Sequence, residues 1–259
     1  MKIITLIENT ACQDALAAEH GLSLYIETGA HKILFDAGQT AVFADNAEKL
    51  GVDLSQVDIC ILSHGHYDHG GGLKRFLEIN DTAPIYVSRY AFEGHYGSPQ
   101  RYIGLDQTLL ESGRIRFMAD SLALDAGLTL FSCNDRQKPF AADNYGLLML
   151  EDDILKADNF RHEQYLLAEE DGKRILFSGC SHKGILNIVH WFQPDVLIGG
   201  FHFMKLEDPA ALTNAARQLA RYHTAYYTGH CTGQVQYAHL KRILGDNLNA
   251  ISGGVEITL

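Results

Sequence analysis

Short unbroken apolar runs alternate with glycine-bearing loops along most of the chain. Residues 2–7, 22–28 and 32–36 are β-branched or aromatic runs bounded by turn residues, and Gly29-Ala30 lies between the second and third like a hairpin turn. The chain is therefore expected to open as antiparallel sheet. Residues 41–50 place Val42, Phe43, Ala47 and Leu50 at near-helical spacing, with Gly51 as the stop. From residue 57 onward one unit recurs: an apolar strand, a loop carrying glycine and histidine, then a helical stretch. The copies are 57–62 leading to His64, 174–177 to His182, 195–198 to His202, and 224–227 to His230. Strands without polar alternation belong in sheets covered on both faces, and their alternation with helices predicts an α/β layered fold. Ligands of such sheets gather beyond the carboxyl ends of the strands, so four loops are expected to bring histidine to one rim. Residues 88–143 are less periodic and read as an irregular insertion or lid within a single domain spanning 1–259.

Composition narrows the functional classes. Apolar residues make up 46% and charged residues 20% of the 259 positions, ordinary globular usage with ample material for a core. With 21 Lys+Arg against 32 Asp+Glu the formal charge is 21 − 32 = −11, and no basic cluster stands out, so long nucleic acid is not an expected partner. No stretch has the length of a membrane span and residues 1–10 lack a signal-peptide pattern, which predicts a cytoplasmic protein with no membrane partner. Five widely spaced cysteines, Cys12, Cys60, Cys133, Cys180 and Cys231, form no CxxC pair and fit free thiols in a reducing compartment. No dinucleotide or phosphate-loop glycine motif is present, nor a Gly-x-Ser-x-Gly nucleophile turn.

Chemistry concentrates in Ser63-His64-Gly65-His66-Tyr67-Asp68-His69-Gly70-Gly71-Gly72, directly after an apolar strand. Imidazoles are poor turn formers, whereas glycines let a loop fold tightly enough for its side chains to converge. Metal ligation is the economical reading: imidazole and carboxylate suit Zn, Mn or Fe, and no thiolate pair demands a closed structural site. His64 and His66, two apart on extended backbone, project to one side. Asp68 and His69 turn toward a neighbouring point as the chain enters the helix, which is geometry for two ions.

This motif resembles the His-x-His-x-Asp-His signature of the metallo-β-lactamase superfamily, and the resemblance extends to Leu34-Phe35-Asp36-Ala37-Gly38 and to the late His230. More narrowly, residues 179–187, Gly199-Gly200-Phe201-His202, His230-Cys231-Thr232-Gly233 and Glu8-Asn9-Thr10-Ala11-Cys12 are similar to the dihydropterin and ribofuranosylaminobenzene-phosphate synthase-like branch of metal-dependent hydrolases. The resemblance covers nearly the whole chain. It implies a four-layer αββα sandwich of two mixed sheets with one or two metals at the rim between them.

Ligand candidates are thus His64, His66, Asp68, His69, His182 and His230, holding two divalent ions, zinc with Mn or Fe as alternatives. The departure from the family pattern lies at Cys180, where members commonly place a bridging Asp. Either Cys180 is a thiolate ligand, or His182 ligates while Cys180 packs behind it; His182 is preferred because imidazole at strand ends is the repeated theme. Asp36 is read as orienting a histidine through its free N–H, with a turn-forming Asp as the bland alternative. His202 and Asn9 are candidates for the same supporting or substrate-binding roles, and His95, Arg161 and His162 for lining the pocket. His20, His31, His190, His223 and His239 lack a glycine loop and are assigned to surface or packing.

The expected function is metal-dependent hydrolysis of a small ester, a phosphoester or pterin-like compound as the branch implies, with Asp68 catalytic. Two alternatives stay open: iron-dependent redox chemistry on the same scaffold, and a noncatalytic metal- or ligand-binding module. The expected partner is a small-molecule substrate, and the sequence does not set an oligomeric state.

Overall fold

The computed structural model describes all residues 1–259 and contains two compact units, each assembled from discontinuous segments. The first comprises Met1–Ala119, Gly146–Gln164 and Ser252–Leu259; the second comprises Asp120–Tyr145 and Tyr165–Ile251.

The first unit holds a seven-stranded mixed sheet. Its strands are β1 (Lys2–Ile7), β2 (Ser23–Glu27), β3 (Lys32–Phe35), β4 (Ile59–Ile61), β5 (Ile85–Ser88), β8 (Ile115–Met118) and β18 (Glu256–Thr258), in the order β18-β1-β2-β3-β4-β5-β8. The antiparallel opening expected from the apolar runs is present, with β1 on β2 and β2 on β3, and pairing becomes parallel from β3 through β8. A four-stranded antiparallel sheet in the same unit runs β12-β11-β6-β7, from β6 (His95–Gly97), β7 (Arg101–Tyr102), β11 (Leu148–Glu151) and β12 (Ile154–Ala157). Helices α1 (Val42–Lys49), α2 (Tyr67–Gly70) and α3 (Leu73–Ile79) complete the unit, with Phe43 and Phe76 buried in one core alongside Leu6, Leu34, Cys60 and Ile85. Each fully buried Leu or Phe contributes about 1.5–3 kcal/mol, which pins the helices to the sheet.

The second unit holds another seven-stranded mixed sheet, β17-β16-β15-β14-β13-β10-β9. The strands are β9 (Ser121–Asp125), β10 (Leu128–Phe131), β13 (Tyr165–Glu170), β14 (Lys173–Phe177), β15 (Val196–Ile198), β16 (Ala225–Thr228) and β17 (Leu248–Ala250). From β14 to β17 all pairing is parallel, so Phe177, Ile198 and Tyr227 lie in register at one edge. Helices α4 (Ile185–Phe192), α5 (Pro209–Leu219) and α6 (Gln234–Leu244) bury Ile188, Phe192, Leu219 and Leu240 with Leu176, Leu197 and Tyr226. The start of α5 is set locally: Pro209 occupies its first turn and the Asp208 carboxylate accepts from the Ala210 N–H at 2.9 Å.

Residues 88–143, read from sequence as an irregular insertion, carry strands β6 to β10. These strands are two to five residues long and several are half-exposed, so apolar run length does not mark them, and only β9 and β10 alternate in burial along their whole length. No helix is long and apolar enough to cross a membrane.

Candidate metal centre

In the first unit the chain leaves β4, passes Ser63 to His66, and enters α2 at Tyr67. The glycines permit this path. A Cβ on Gly65 would stand 2.2 Å from the Ala91 carbonyl oxygen, and one on Gly72 2.1 Å from that of Ala37, distances no side chain tolerates. The loop therefore folds tightly enough to bring the motif imidazoles together: the His64 ring centroid lies 4.6 Å from that of His66 and 4.2 Å from that of His69. All three rings are buried, and Asp68, 9% exposed, sits 4.0 Å from His69 Nε2 through its Oδ2.

Asp36, fully buried at the end of β3 with φ of 60°, organises this loop. Its Oδ1 accepts from the Ser63 N–H at 2.7 Å, and its Oδ2 accepts from the Ser63 hydroxyl at 2.7 Å and from His69 Nδ1 at 2.6 Å. An ionised carboxylate only accepts, so Ser63 spends its hydroxyl proton on Asp36 and accepts in turn from His64 Nδ1 at 2.9 Å. Both His64 and His69 thus carry a proton on Nδ1, which turns Nε2 of each away from this hydrogen-bond set. This is the carboxylate–imidazole arrangement that metal-binding histidines use.

The electrostatics point the same way. Burial, followed by the charge of His162, holds His66 well below the usual imidazole range, so it is neutral and able to ligate. Burial also opposes the charge on His69, but the charge and hydrogen bond of Asp36 outweigh it and raise His69 above the ordinary value. A metal ion at His69 accordingly has to displace a firmly held proton.

Other residues of this unit differ in what they do. Asn9 accepts from the Gly21 N–H at 3.4 Å, and Gly21 packs where a Cβ would stand 2.6 Å from the Asp68 carbonyl oxygen. His20, assigned from sequence to the surface, stands with Nε2 3.3 Å from Asp68 Oδ2. Arg161 is tied to Glu93 by two hydrogen bonds of 2.6 and 2.8 Å and to Glu151 at 2.5 Å, a structural clamp across the small sheet. His95 and His162 converge on Asp158, a residue that sequence reasoning missed altogether. Its one local signal is the Asp-x-x-x-His spacing to His162. Burial pushes the Asp158 carboxyl up, but hydrogen bonds and charges from His162 and His95 prevail and hold it well below the usual carboxylate range.

In the second unit the loops after β14, β15 and β16 leave one edge of parallel sheet and carry Cys180 and His182, His202, and His230. Ser181, His202 and His230 all have φ near +50 to +60°, a left-handed conformation uncommon outside glycine and frequent at functional sites. The rings of His182 and His202 stand 4.2 Å apart at 61°. Cys231 Sγ accepts from the His202 N–H at 3.3 Å and donates to the Cys180 carbonyl at 3.4 Å, pinning the three loops to one another. Ligand atoms of Cys180, His230 and Cys231 lie within 4.8 Å of one another, all buried. The sulfur of Cys180 therefore sits beside His230, whereas His182 packs against His202.

The chain belongs to the metallo-β-lactamase superfamily, whose profile matches residues 17–230. Among curated proteins it is 30% identical, over 90% of its own length and 88% of the other's, to 7,8-dihydropterin-6-methyl-4-(β-D-ribofuranosyl)-aminobenzene-5′-phosphate synthase of Methanocaldococcus jannaschii. An uncharacterised protein of the same organism is 28% identical over 93% of this chain and 98% of that protein. Among solved structures, a metal-dependent hydrolase of the β-lactamase superfamily superposes with a TM-score of 0.86 at 24% identity, covering 100% of this chain and 99% of that one. The mixed α/β architecture with several mixed sheets is thus that of the metallo-β-lactamase sandwich fold.

Proposed function

We propose that the protein is a metal-dependent hydrolase acting on a small ester, with phosphoesters and pterin-like compounds as the substrate classes to test first. The observation that carries this reading is the Asp36–Ser63–His64–His69 hydrogen-bond set, which engages Nδ1 of two buried histidines and so supports Nε2 of each as the proposed ligating atom. A satisfied core histidine needs no carboxylate to fix its tautomer, and superfamily membership supports metal-dependent, hydrolase-type chemistry. His64, His66, Asp68 and His69 are proposed ligands from the first unit. From the second, His182 and His230 are proposed, with Cys180 the thiolate alternative to His182. Two divalent ions are proposed, zinc before manganese or iron.

Bound divalent metal lowers the pKa of water from 15.7 to about 7 and polarises the substrate oxygen. The chain's own residues do the rest. Asp68 orients the attacking water and accepts its proton at Oδ2, the oxygen that His20 Nε2 approaches to 3.3 Å. Asp36 keeps His69 from rotating. A second reading, synthesis of a dihydropterin–ribofuranosyl-aminobenzene phosphate, is favoured by the name of the 30% identical relative.

Metal counting combined with a screen of phosphomonoesters, phosphodiesters, lactones and the pterin condensation tests both readings. Two divalent ions per chain and hydrolysis abolished in Asp68→Ala, with the circular dichroism spectrum retained, is the expected result. Full turnover in Asp68→Ala or in chelator-stripped protein rejects the assignment. Iron with visible absorbance and no hydrolysis transfers the scaffold to redox chemistry.

A further inference from the structure

A second set of hydrogen bonds, from the segment between β12 and β13, grips the backbone of the motif loop. Gln164 N–H donates to the Ser63 carbonyl at 2.8 Å, and Gln164 Nε2 to that of Leu62 at 2.7 Å. Further along the loop, Gly65 N–H donates to His162 Nδ1 at 2.9 Å. His162 is fully buried, with its ring centroid 5.8 Å from that of His64 and 5.0 Å from that of His66. It stands beside both imidazoles although 96 positions separate it from His66 in the chain (162 − 66 = 96).

The hydrogen bonds fix which nitrogen is which. An Nδ1 that accepts from a backbone N–H carries no proton, so the His162 proton sits on Nε2 and faces Asp158 Oδ2 at 3.3 Å. Asp158 is itself held. Its Oδ2 also accepts from His95 Nδ1 at 3.1 Å, and its Oδ1 accepts from the Phe160 N–H at 2.7 Å. A buried N–H asks only for an acceptor, and a backbone carbonyl would supply one without burying a carboxylate behind it. What the imidazole adds is a fixed distance: both nitrogens belong to one rigid ring, so the anchored Asp158 determines where the Gly65 N–H is met. The peptide that carries this N–H joins His64 to Gly65, and turning it swings the His64 side chain and carries His66 along.

We propose that His162 is a positioning residue: its Nδ1, with the ring steadied by Asp158, sets the peptide between His64 and His66 and so the placement of both imidazoles. His162 itself holds no metal, since one of its nitrogens is spent on Gly65 and the other on Asp158. Asp36 orients His64 and His69 through their rings, whereas His162 acts on the backbone that carries His64 and His66. This role rests on the reading of His64 and His66 as metal ligands.

The test compares full-length wild type, His162→Asn and His162→Gln, each freed of metal and titrated with Zn²⁺ against a chromophoric chelator. Asparagine carries Oδ1 where histidine carries Nδ1, so it keeps an acceptor for Gly65 and loses Asp158. Glutamine reaches to the Nε2 position, keeps a donor for Asp158 and offers Gly65 nothing. His162→Gln is expected to weaken zinc binding about 10–100-fold, and His162→Asn to stay near the wild-type affinity. A side chain that only fills space predicts equal losses, or the larger loss in the shorter asparagine, and either result overturns the proposal while leaving the hydrolytic reading in place. Two further readouts need no metal. Long-range ¹H–¹⁵N spectra of wild type, which need no variant to fold, are expected to show the His162 proton on Nε2; a protonated Nδ1 overturns the proposal. The Gly65 amide is expected to exchange slowly in wild type and His162→Asn and fast in His162→Gln; slow exchange in His162→Gln overturns it as well. A wild-type protein that binds no zinc removes the hydrolytic ligand set, and the tautomer and the Gly65 amide then decide whether His162 sets this peptide.

Discussion

Asp36 shows how much one buried carboxylate can organise. It adopts a left-handed backbone conformation, donates its N–H to the Ile61 carbonyl at 2.9 Å as an extension of the β3–β4 pairing, and fixes the protons of two imidazoles, His69 directly and His64 through Ser63. In Asp36→Asn an amide nitrogen replaces one accepting oxygen and faces donors, so either the Ser63 N–H, or the His69 ring together with the Ser63 hydroxyl, loses its acceptor. Metal affinity is expected to fall about 10–100-fold, as for other outer partners of ligating histidines. Competition with a chromophoric chelator measures it, and unaltered affinity would show that the imidazoles are oriented by something else. The same residue shapes the pH response of the metal-free protein. His69 is raised above its unfolded value of about 6.5, so its contribution is complete below that pH and is lost as pH climbs through the folded value. His66 is depressed, so the folded state resists its protonation and stability falls as pH drops below about 6.5. Urea titrations of the stripped protein are expected to show maximal stability near pH 6.5, and His69→Gln to flatten the alkaline limb alone.

At the scale of elements, the loop after β4 depends on close approach between backbones. In Gly65→Ala the new methyl meets the Ala91 carbonyl, and the loop has to shift or β5's following turn has to yield. Overpacking of this kind costs about 1–3 kcal/mol. The expected outcome is a lowered urea midpoint together with weakened metal binding, because Gly65 lies between the proposed ligands His64 and His66 and its N–H anchors the loop to His162. A variant with wild-type midpoint and metal affinity would mean that the loop has slack the geometry does not show. Much of this element was legible in advance. Apolar strand, glycine-rich loop and helix start follow one another in sequence, and β1, β3 and α1 lie within a residue of where the pattern puts them. Asp158 and His20 were not legible as neighbours of the motif, since they come from loops whose partners are set by tertiary pairing, and His95 was a pocket candidate with no partner to name. His95 reaches Asp158 across 63 positions, and only the β6–β11 pairing places it there.

At the scale of the whole molecule, each compact unit is built from segments distant in sequence: the first takes back Gly146–Gln164 and Ser252–Leu259 after the chain has entered the second. Local periodicity reports nothing of such returns, which is why a continuous reading of the chain assigns the strands of 88–143 to an insertion. The consequence for stability is specific. The segment Gly146–Gln164 carries Asp158 and His162, and its attachment to the first unit includes Gln164 Nε2 donating to the Leu62 carbonyl at 2.7 Å and Gln164 N–H to that of Ser63 at 2.8 Å. A metal ion that orders the motif loop at His64 and His66 would therefore also steady this late segment, since Gly65 N–H, between them, donates to His162 Nδ1 at 2.9 Å. Ligand at 100 times its dissociation constant stabilises the folded state by about 2.7 kcal/mol per site. Chelation is expected to lower the thermal midpoint and, in hydrogen exchange, to lose protection first in 146–164 and 62–72, with the amides of β14 to β16 less affected. Zinc should restore both. Uniform loss of protection across the chain, or none at all, would sever the link between metal binding and this segment.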